Sequence, residues 1–510
     1  MPAVSGIAPQ DVQGIIVRGY GSSLPRKRHM IFTIVDPAGA RAFFKALLPS
    51  SKNAVCVSDA QLADKNDPTF YRLNVALTYA GLQQVLSADD CATLAGSTCF
   101  GPFATGADDP GTAQTVGDIN ASAPANWWKN GGSQLPNKQP PAPAQLHVVV
   151  SLYAQTIDQR DELETRLLEL IPGAGKTPAL TLAYKLDSDP LDDRDVSIHF
   201  GYGDGFSQPR LAGWNADNPL DDRPVVDASH FVITSPAGLD YTAHPFLANG
   251  SFAAFRVLFQ DSAAFELFLD NAGPENRELL AAKMCGRWRD GTPLELSPAN
   301  PNASVHGIEL TNFQYLQPSA HQAGNPPRLS TLPDEFGLQC PLASHIRRTN
   351  PRDDTNVRGN PDMASFHRVM RRANAYGPKY VPASEVADDT RGLVGYFIGA
   401  NLAAQWEFLF QNWVYTPPPN ANDTSPNAGG VDPLFGPNDP NAFVSPNFYY
   451  GTAETENGTT YVDPTGAVVP NPPNNDQGPP MPQFVRTDGG LYVFLPSITA
   501  LGLMSQGKIA

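Results

Sequence analysis

The hydrophobic positions fall into a repeated plan: a short apolar strand, a break, then an amphipathic helix. The first instance is HMIFTIV followed by DPAGARAFFKALLP, where Asp36 can cap a helix and Pro37 suits its first turn. YRLNVALTYAGLQQVL repeats the plan. QLHVVVSLYA followed by TIDQRDELETRLLELIP repeats it again, with apolar residues at helical spacing up to Pro172. ALTLAYKLD adds an alternating strand. After residue 235 the plan returns in SFAAFRVLF with QDSAAFELFLDNAG, then in GLVGYFIGANLAAQWEFLFQNWV, and VRTDGGLYVFLPS reads as a last strand. Strand–helix units interleaved with single strands predict an α+β fold of two ferredoxin-like halves, pseudo-duplicated antiparallel sheets with helices, rather than a doubly wound sheet. The expected division is 1–234 for the N-terminal half and 235–510 for the C-terminal half. Residues 98–144, 209–229 and above all 416–482 read as loops. The last is long enough to act as a lid, with Phe435, Phe443, Phe448, Tyr449 and Tyr450 as anchors.

Composition sharpens this picture. Gly (43) and Pro (50) are abundant among 510 residues and charged residues are only 17%, which suits a globular chain with long punctuated loops. The net charge of −16 makes nucleic acid or an anionic membrane surface an unfavourable partner. No apolar run reaches the roughly 20 residues needed to span a bilayer. The opening MPAVSGIAPQDVQG lacks a basic n-region with an apolar h-region, so the chain as given reads as cytoplasmic. The five cysteines form no CxxC pair, so the expectation is free thiols, neither a disulfide framework nor a zinc site. Oligomeric state is not encoded legibly.

Three strings stand out chemically. HFGYGDGFSQPR (199–210) sets Asp204 between Gly203 and Gly205 and matches no phosphate-binding pattern. By itself it reads equally as a Gly-rich turn with Asp as a turn residue. CPLASHIRRTNPRDD (340–354) combines His345 with Arg347, Arg348 and Arg352. HRVMRRANAYGP (367–378) adds His367, Arg368, Arg371 and Arg372. Basic residues concentrated in an acidic chain suggest an anion site, with a solvated surface as the alternative.

Taken together, G-x-x-D-G-x-S-Q-P, C-P-x-x-S-H-I-R-R-x-N-P-R and H-R-x-x-R-R…Y-G-P resemble the dye-decolourising peroxidase family, in order and in spacing. Weaker similarity runs through VGDINASAPANWW, GRWRDGTPLELSP, GGVDPLFGP and GGLYVFLPSITAL, so the resemblance covers residues 10–500. The length and insertions are similar to the family's larger bacterial and fungal branch. The resemblance implies b-type haem in the C-terminal half, hydrogen peroxide as oxidant, and dyes or phenolic and other aromatic compounds as one-electron donors.

It also implies His345 as the proximal iron ligand, Asp204 as the distal acid–base residue and Arg371 as the distal arginine. Ala375 stands where many relatives have Pro, which leaves Arg372 as an alternative to Arg371. Gly203 and Gly205 would let the chain approach the cofactor, and Arg347 or Arg348 would meet its propionates. Glu407 is the candidate acidic partner of His345. Leu393, Phe397 and Phe408 are candidate pocket walls. A carboxyl in the distal role implies an acidic pH optimum, since carboxyl groups in general titrate about two units below imidazoles. Surface Trp and Tyr residues offer routes for electrons from large dyes. The alternative reading is a haem-binding or iron-handling protein of the same fold with incidental peroxidase activity.

Overall fold

The computed structural model describes the chain apart from residues 1–6, 52–54, 61–70, 130–139, 174–176, 193–196, 215–217, 317–332, 355–365, 382–390, 416–430, 436–449, 463–467, 471–481 and a few isolated positions. Four strands come from the first part of the chain: β1 (Arg26–Ile34), β2 (Tyr71–Leu77), β3 (Val148–Ala154) and β4 (Leu180–Ser188). Four come from the second: β5 (Ser251–Gln260), β6 (Met370–Tyr376), β7 (Gly392–Gly399) and β8 (Val485–Leu495).

All eight join one sheet in the order β4-β1-β3-β2-β8-β5-β7-β6. The two sets of four have the same internal order, fourth-first-third-second, which is the ferredoxin-like arrangement. They meet where Phe494 of β8 pairs with Leu77 of β2. The outer strands, β4 and β6, approach each other: the Ser188 hydroxyl donates to the Ala375 carbonyl (2.6 Å). The sheet therefore curls toward a barrel without a continuous ladder at its seam.

Local sequence explains the helices of the first set. Asp36 accepts from the amides of Ala38 (3.0 Å) and Gly39 (3.1 Å) and starts α1 (Pro37–Ala46), which buries Phe43 and Phe44. Thr156 and Gln159 form a reciprocal capping box that starts α2 (Ile157–Glu169), which buries Leu163 and Leu167. In the second set, β5 leads into α3 (Ser262–Asp270) and α4 (Arg277–Cys285). The short α5 (His345–Thr349) lies between α4 and β6 in the chain.

β7 leads into a helix wound wider than α across Ala403–Glu407 and Leu409–Val414. The Glu407 amide reaches back to the Leu402 carbonyl (2.9 Å) and the Tyr415 amide to Phe410 (3.0 Å). The stretch read as loop, 416–482, is not loop throughout. Val431–Phe435 packs back onto the body, and Tyr450–Thr455, Gly458–Val462 and Val468–Pro470 form a separate antiparallel sheet. Phe443, Phe448 and Tyr449 lie outside the described residues. Among the described residues, no helix is long and apolar enough to cross a membrane.

Candidate active site

The second set of strands encloses a cavity with about 1440 Å³ of space not filled by atoms, part of it continuous with solvent. Leu258, Leu393 and Phe397 form its sheet wall, and Trp406, Leu409 and Phe410 of the wide-turn helix stand opposite. Leu393 and Phe397 are pocket walls as the sequence suggested. Phe408 is not; its ring stacks on His367 at 3.4 Å.

His345 opens α5 and lines the cavity with its side chain 22% exposed. Its Nδ1 lies 2.7 Å from Oδ2 of Asp432, which is fully buried. Oδ1 of the same carboxyl accepts from the Leu434 (2.9 Å) and Phe435 (3.3 Å) amides, and the Asp432 amide donates to Val414 (3.0 Å). With both carboxyl oxygens accepting, Nδ1 is the donor, and the imidazole's remaining lone pair sits on Nε2. Asp432, inside the presumed loop, therefore takes the place foreseen for Glu407. Glu407 accepts instead from the Tyr492 hydroxyl (3.1 Å), and burial pushes its carboxyl above the usual range. One signal was available: Asp432 is the lone acid of GGVDPLFGP.

The loop after β4 carries the second group. Ser197 and Gly203 form an isolated bridge, the Gly203 amide donates to Arg289 (3.1 Å), and the buried Tyr202 hydroxyl donates to Ala281 (2.6 Å). Gly205 follows at φ +86°, a backbone region open mainly to glycine. This turn brings Asp204 to the cavity, where its Oδ1 lies 3.5 Å from Nη2 of Arg371. Both side chains remain about one-third exposed, 35% and 32%. Arg371 also donates to the Phe206 carbonyl (2.7 Å). Gln208 exchanges two hydrogen bonds with the Arg371 backbone and covers the edge of β6 like a strand neighbour.

Alternation along β6 separates the two arginines. Arg371 points to the cavity, whereas Arg372 does not line it and donates to Ile15 (2.9 Å) and to the Arg371 carbonyl (3.1 Å).

Arg347 is not a cavity residue. Its guanidinium is fully buried, pairs with Asp354 and Asp334 (2.8 Å) and lies 4.4 Å over the Tyr315 ring, so it holds the chain around α5. Arg348 is likewise buried outside the cavity lining. The cations that face the cavity are Arg287, Arg352, Arg368 and Arg371. Three of them converge on Ser207, since Arg287 and Arg352 donate to its hydroxyl and Arg368 to its carbonyl. Arg287 and Arg368 meet no carboxylate among the described residues. Burial, reinforced by the neighbouring arginines, lowers Arg287 to about 10 and Arg368 to about 9. A group presenting negative charge here would relieve that repulsion.

The chain matches no family profile. It is 27% identical to Peroxidase 2 of Mycetinis scorodonius, covering 97% of this chain and 87% of the relative. It is also 27% identical to the dye-decolorizing peroxidase AauDyP1 of Auricularia auricula-judae, covering 98% and 87%. A solved dye-decolorizing peroxidase, engineered in its heme pocket for asymmetric sulfoxidation, superposes at TM-score 0.71 with 25% identity over 98% of this chain and all of the other. The chain is thus similar to dye-decolourising peroxidases along nearly its whole length. Dye-decolourising peroxidases are haem enzymes. The cavity of this chain fits such a group on its own chemistry: one imidazole with Nε2 available, apolar walls on two sides, and two buried arginines, Arg287 and Arg368, that meet no carboxylate among the described residues.

Proposed function

We propose that this chain uses b-type haem, which His345 in the C-terminal half would hold through its iron, to reduce hydrogen peroxide at the expense of dyes, phenols or other aromatic donors. The observation that carries the proposal is the placement of His345–Asp432 and Asp204–Arg371 on one apolar cavity. Haem, when bound, supplies an open iron position for peroxide and takes one electron at a time from donors.

The remaining work falls to the protein. Asp432 fixes the His345 ring and strengthens it as a ligand by accepting from Nδ1. Asp204 takes the proton from one peroxide oxygen at its carboxylate and returns it to the other as the O–O bond breaks. Arg371, permanently cationic, stabilises the charge on the departing oxygen. Gly205 keeps space beside Asp204 clear, and Gly203 lets Phe206 pack close: a Cβ on Gly203 would stand 3.0 Å from that ring. Arg352 and Arg368, which line the cavity, would neutralise the carboxylates of the cofactor, the role that the resemblance implied for Arg347 or Arg348. Apolar walls exclude water that would compete for the proton. The net reaction is one hydrogen peroxide and two phenols giving two waters and two phenoxyl radicals.

The division at 234/235 is part of this proposal, because it assigns Asp204 to one half and His345 and Arg371 to the other. Residence in the cytoplasm is part of it too, supported by five cysteines that are all free thiols. The test is Asp204→Asn in haem-loaded enzyme. Peroxide-dependent phenol oxidation should fall about 100-fold or more with haem retained. Unchanged activity would remove Asp204 from this role and favour a haem-binding or iron-handling protein.

A further inference from the structure

In the sheet order β6 stands at an end. Beyond its outer edge lies a second cavity, about 1540 Å³ of unfilled space partly continuous with solvent, lined by residues 370–375 and by Gln208. A bare edge leaves backbone groups without ladder partners and lets a strand shift. At Arg371 a side chain supplies the rung. Nε2 of Gln208 donates to the Arg371 carbonyl (3.1 Å), and its Oε1 accepts from the Arg371 amide (3.2 Å). The carbonyl accepts from Arg372 as well (3.1 Å). Pro209 follows Gln208 and has no N–H, so the chain here has no amide with which to continue a backbone ladder along β6.

The same loop carries Asp204, and its alternate residues converge on Arg371. Oδ1 of Asp204 lies 3.5 Å from Nη2, the Phe206 carbonyl accepts from that Nη2 (2.7 Å), and Gln208 holds the backbone. Between them Ser207 has φ +57°, a left-handed conformation uncommon outside glycine. Arginines from other parts of the chain fix it there: Arg287 (3.3 Å) and Arg352 (3.2 Å) donate to its hydroxyl and Arg368 (2.9 Å) to its carbonyl. Gln208 is anchored from behind, since Arg223 donates to its carbonyl (2.8 Å) and pairs with Asp221 (2.6 Å). The Arg371 guanidinium, by contrast, is one-third exposed, so burial does not fix it. Its place depends on where its backbone is held.

We infer that Gln208 is a positioning residue for the peroxide reaction: its amide locks β6 to the Asp204 loop, sets the Asp204–Arg371 separation, and so governs how fast the O–O bond is cleaved. Gln208 does not line the active-site cavity, so it acts through Arg371 and touches neither peroxide nor donor. A displacement of about 1 Å at a reacting group costs on the order of 100-fold in rate. The effect on peroxide rests on the peroxidase reading; the alignment of Arg371 with Asp204 does not.

The test compares wild type with Gln208→Met, which keeps the side chain's length and removes both hydrogen bonds, in haem-loaded enzyme. After rapid mixing with hydrogen peroxide, the first change in the Soret band should be at least about tenfold slower in the variant. The return of the spectrum on adding a phenol should stay within about twofold, with resting spectrum and haem content unchanged. In an Arg371→Leu background the same substitution should cost less than about twofold, because Gln208 then has no guanidinium to place. An unchanged peroxide step, equal slowing of both steps, or an equal cost in both backgrounds overturns the proposal. If Gln208→Met does not fold, Gln208→Asn, which keeps the amide but not its reach, takes its place with the same expectations. Cyanide separates the two claims. Its binding to resting enzyme needs an acceptor for the proton of hydrogen cyanide and a cation beside the anion, but no turnover. Its dissociation constant should therefore rise at least about fivefold in the variant. If wild type gives no spectral change with peroxide, the peroxidase reading falls and the cyanide ratio alone decides the positioning role; an unchanged ratio overturns it.

Discussion

The two sets of four strands share one order and use it in opposite ways. In β1–β4, helix α2 lies against β1 and β3 and buries Leu163 and Leu167 on the sheet. In β5–β8 the corresponding helix, the one that follows β7, packs on α5 as well as on its own sheet. Its wide turns present Trp406, Leu409 and Phe410 across a gap. The same topology thus packs a helix directly on the sheet in one set and leaves a hollow beneath the helix in the other. The difference arises after the third strand of each set: Thr156 and Gln159 start a regular α-helix, whereas 403–414 winds with i→i−5 hydrogen bonds. Function here follows from where packing is withheld.

That contrast can be broken most sharply at the hollow half's own charges. Arg371→Leu should lower the turnover number for phenol oxidation about 100- to 1000-fold, the scale seen when a fixed electrostatic group is removed from a reacting oxygen. Steady-state kinetics on haem-loaded protein would check this, and a loss below tenfold would mean the cavity works without it. Asp432→Asn should weaken haem retention or activity about 10- to 100-fold, because His345 loses the acceptor on Nδ1. Glu407→Gln, outside that contact, should leave haem affinity within about twofold. Equal effects of the two would return Glu407 to the proximal role.

Smaller effects distinguish the first set of strands. His29 is buried against Ser151 (2.8 Å), and burial lowers it to about 3 from an ordinary value near 6.5. The unfolded chain therefore binds a proton there that the native chain refuses. His29 contributes full stability above about pH 6.5 and progressively less as pH falls toward 3. His29→Asn should flatten the pH dependence of unfolding free energy between pH 6 and 4 by up to about 1.4 kcal/mol per pH unit. Denaturant titrations at several pH values would show it. Haem loading, by contrast, acts on the hollow half and should raise Tm by several degrees through mass action.

Much of this was legible in the sequence, for identifiable reasons. The Asp36 cap marked α1 and apolar periodicity marked α2, because both signals act within a few residues. The strings around Asp204, His345 and Arg371 singled out three residues that the fold brings to one cavity, and strand alternation in β6 turns Arg372 away from it. The misses were long-range. Arg347 looked like a propionate partner because the sequence does not show that the chain turns back after α5 to set Asp354, seven positions on, and Asp334, thirteen positions before, around its guanidinium. Asp432 lay within a Pro- and Asn-rich stretch, and only the fold carries it 87 positions back to His345. β6 itself was hidden, since VMRRANAYG has too many charges to read as a strand until both of its faces are seen to meet cavities.

The central claim is that the hollow half holds haem through His345. An absorption spectrum of the reconstituted protein, recorded before and after hydrogen peroxide, tests it most directly for wild type beside His345→Ala. The account predicts a Soret band that shifts with peroxide in wild type and is lost or displaced in the variant. A wild-type protein that takes up no haem, or a variant whose band and peroxide response are unchanged, would contradict it.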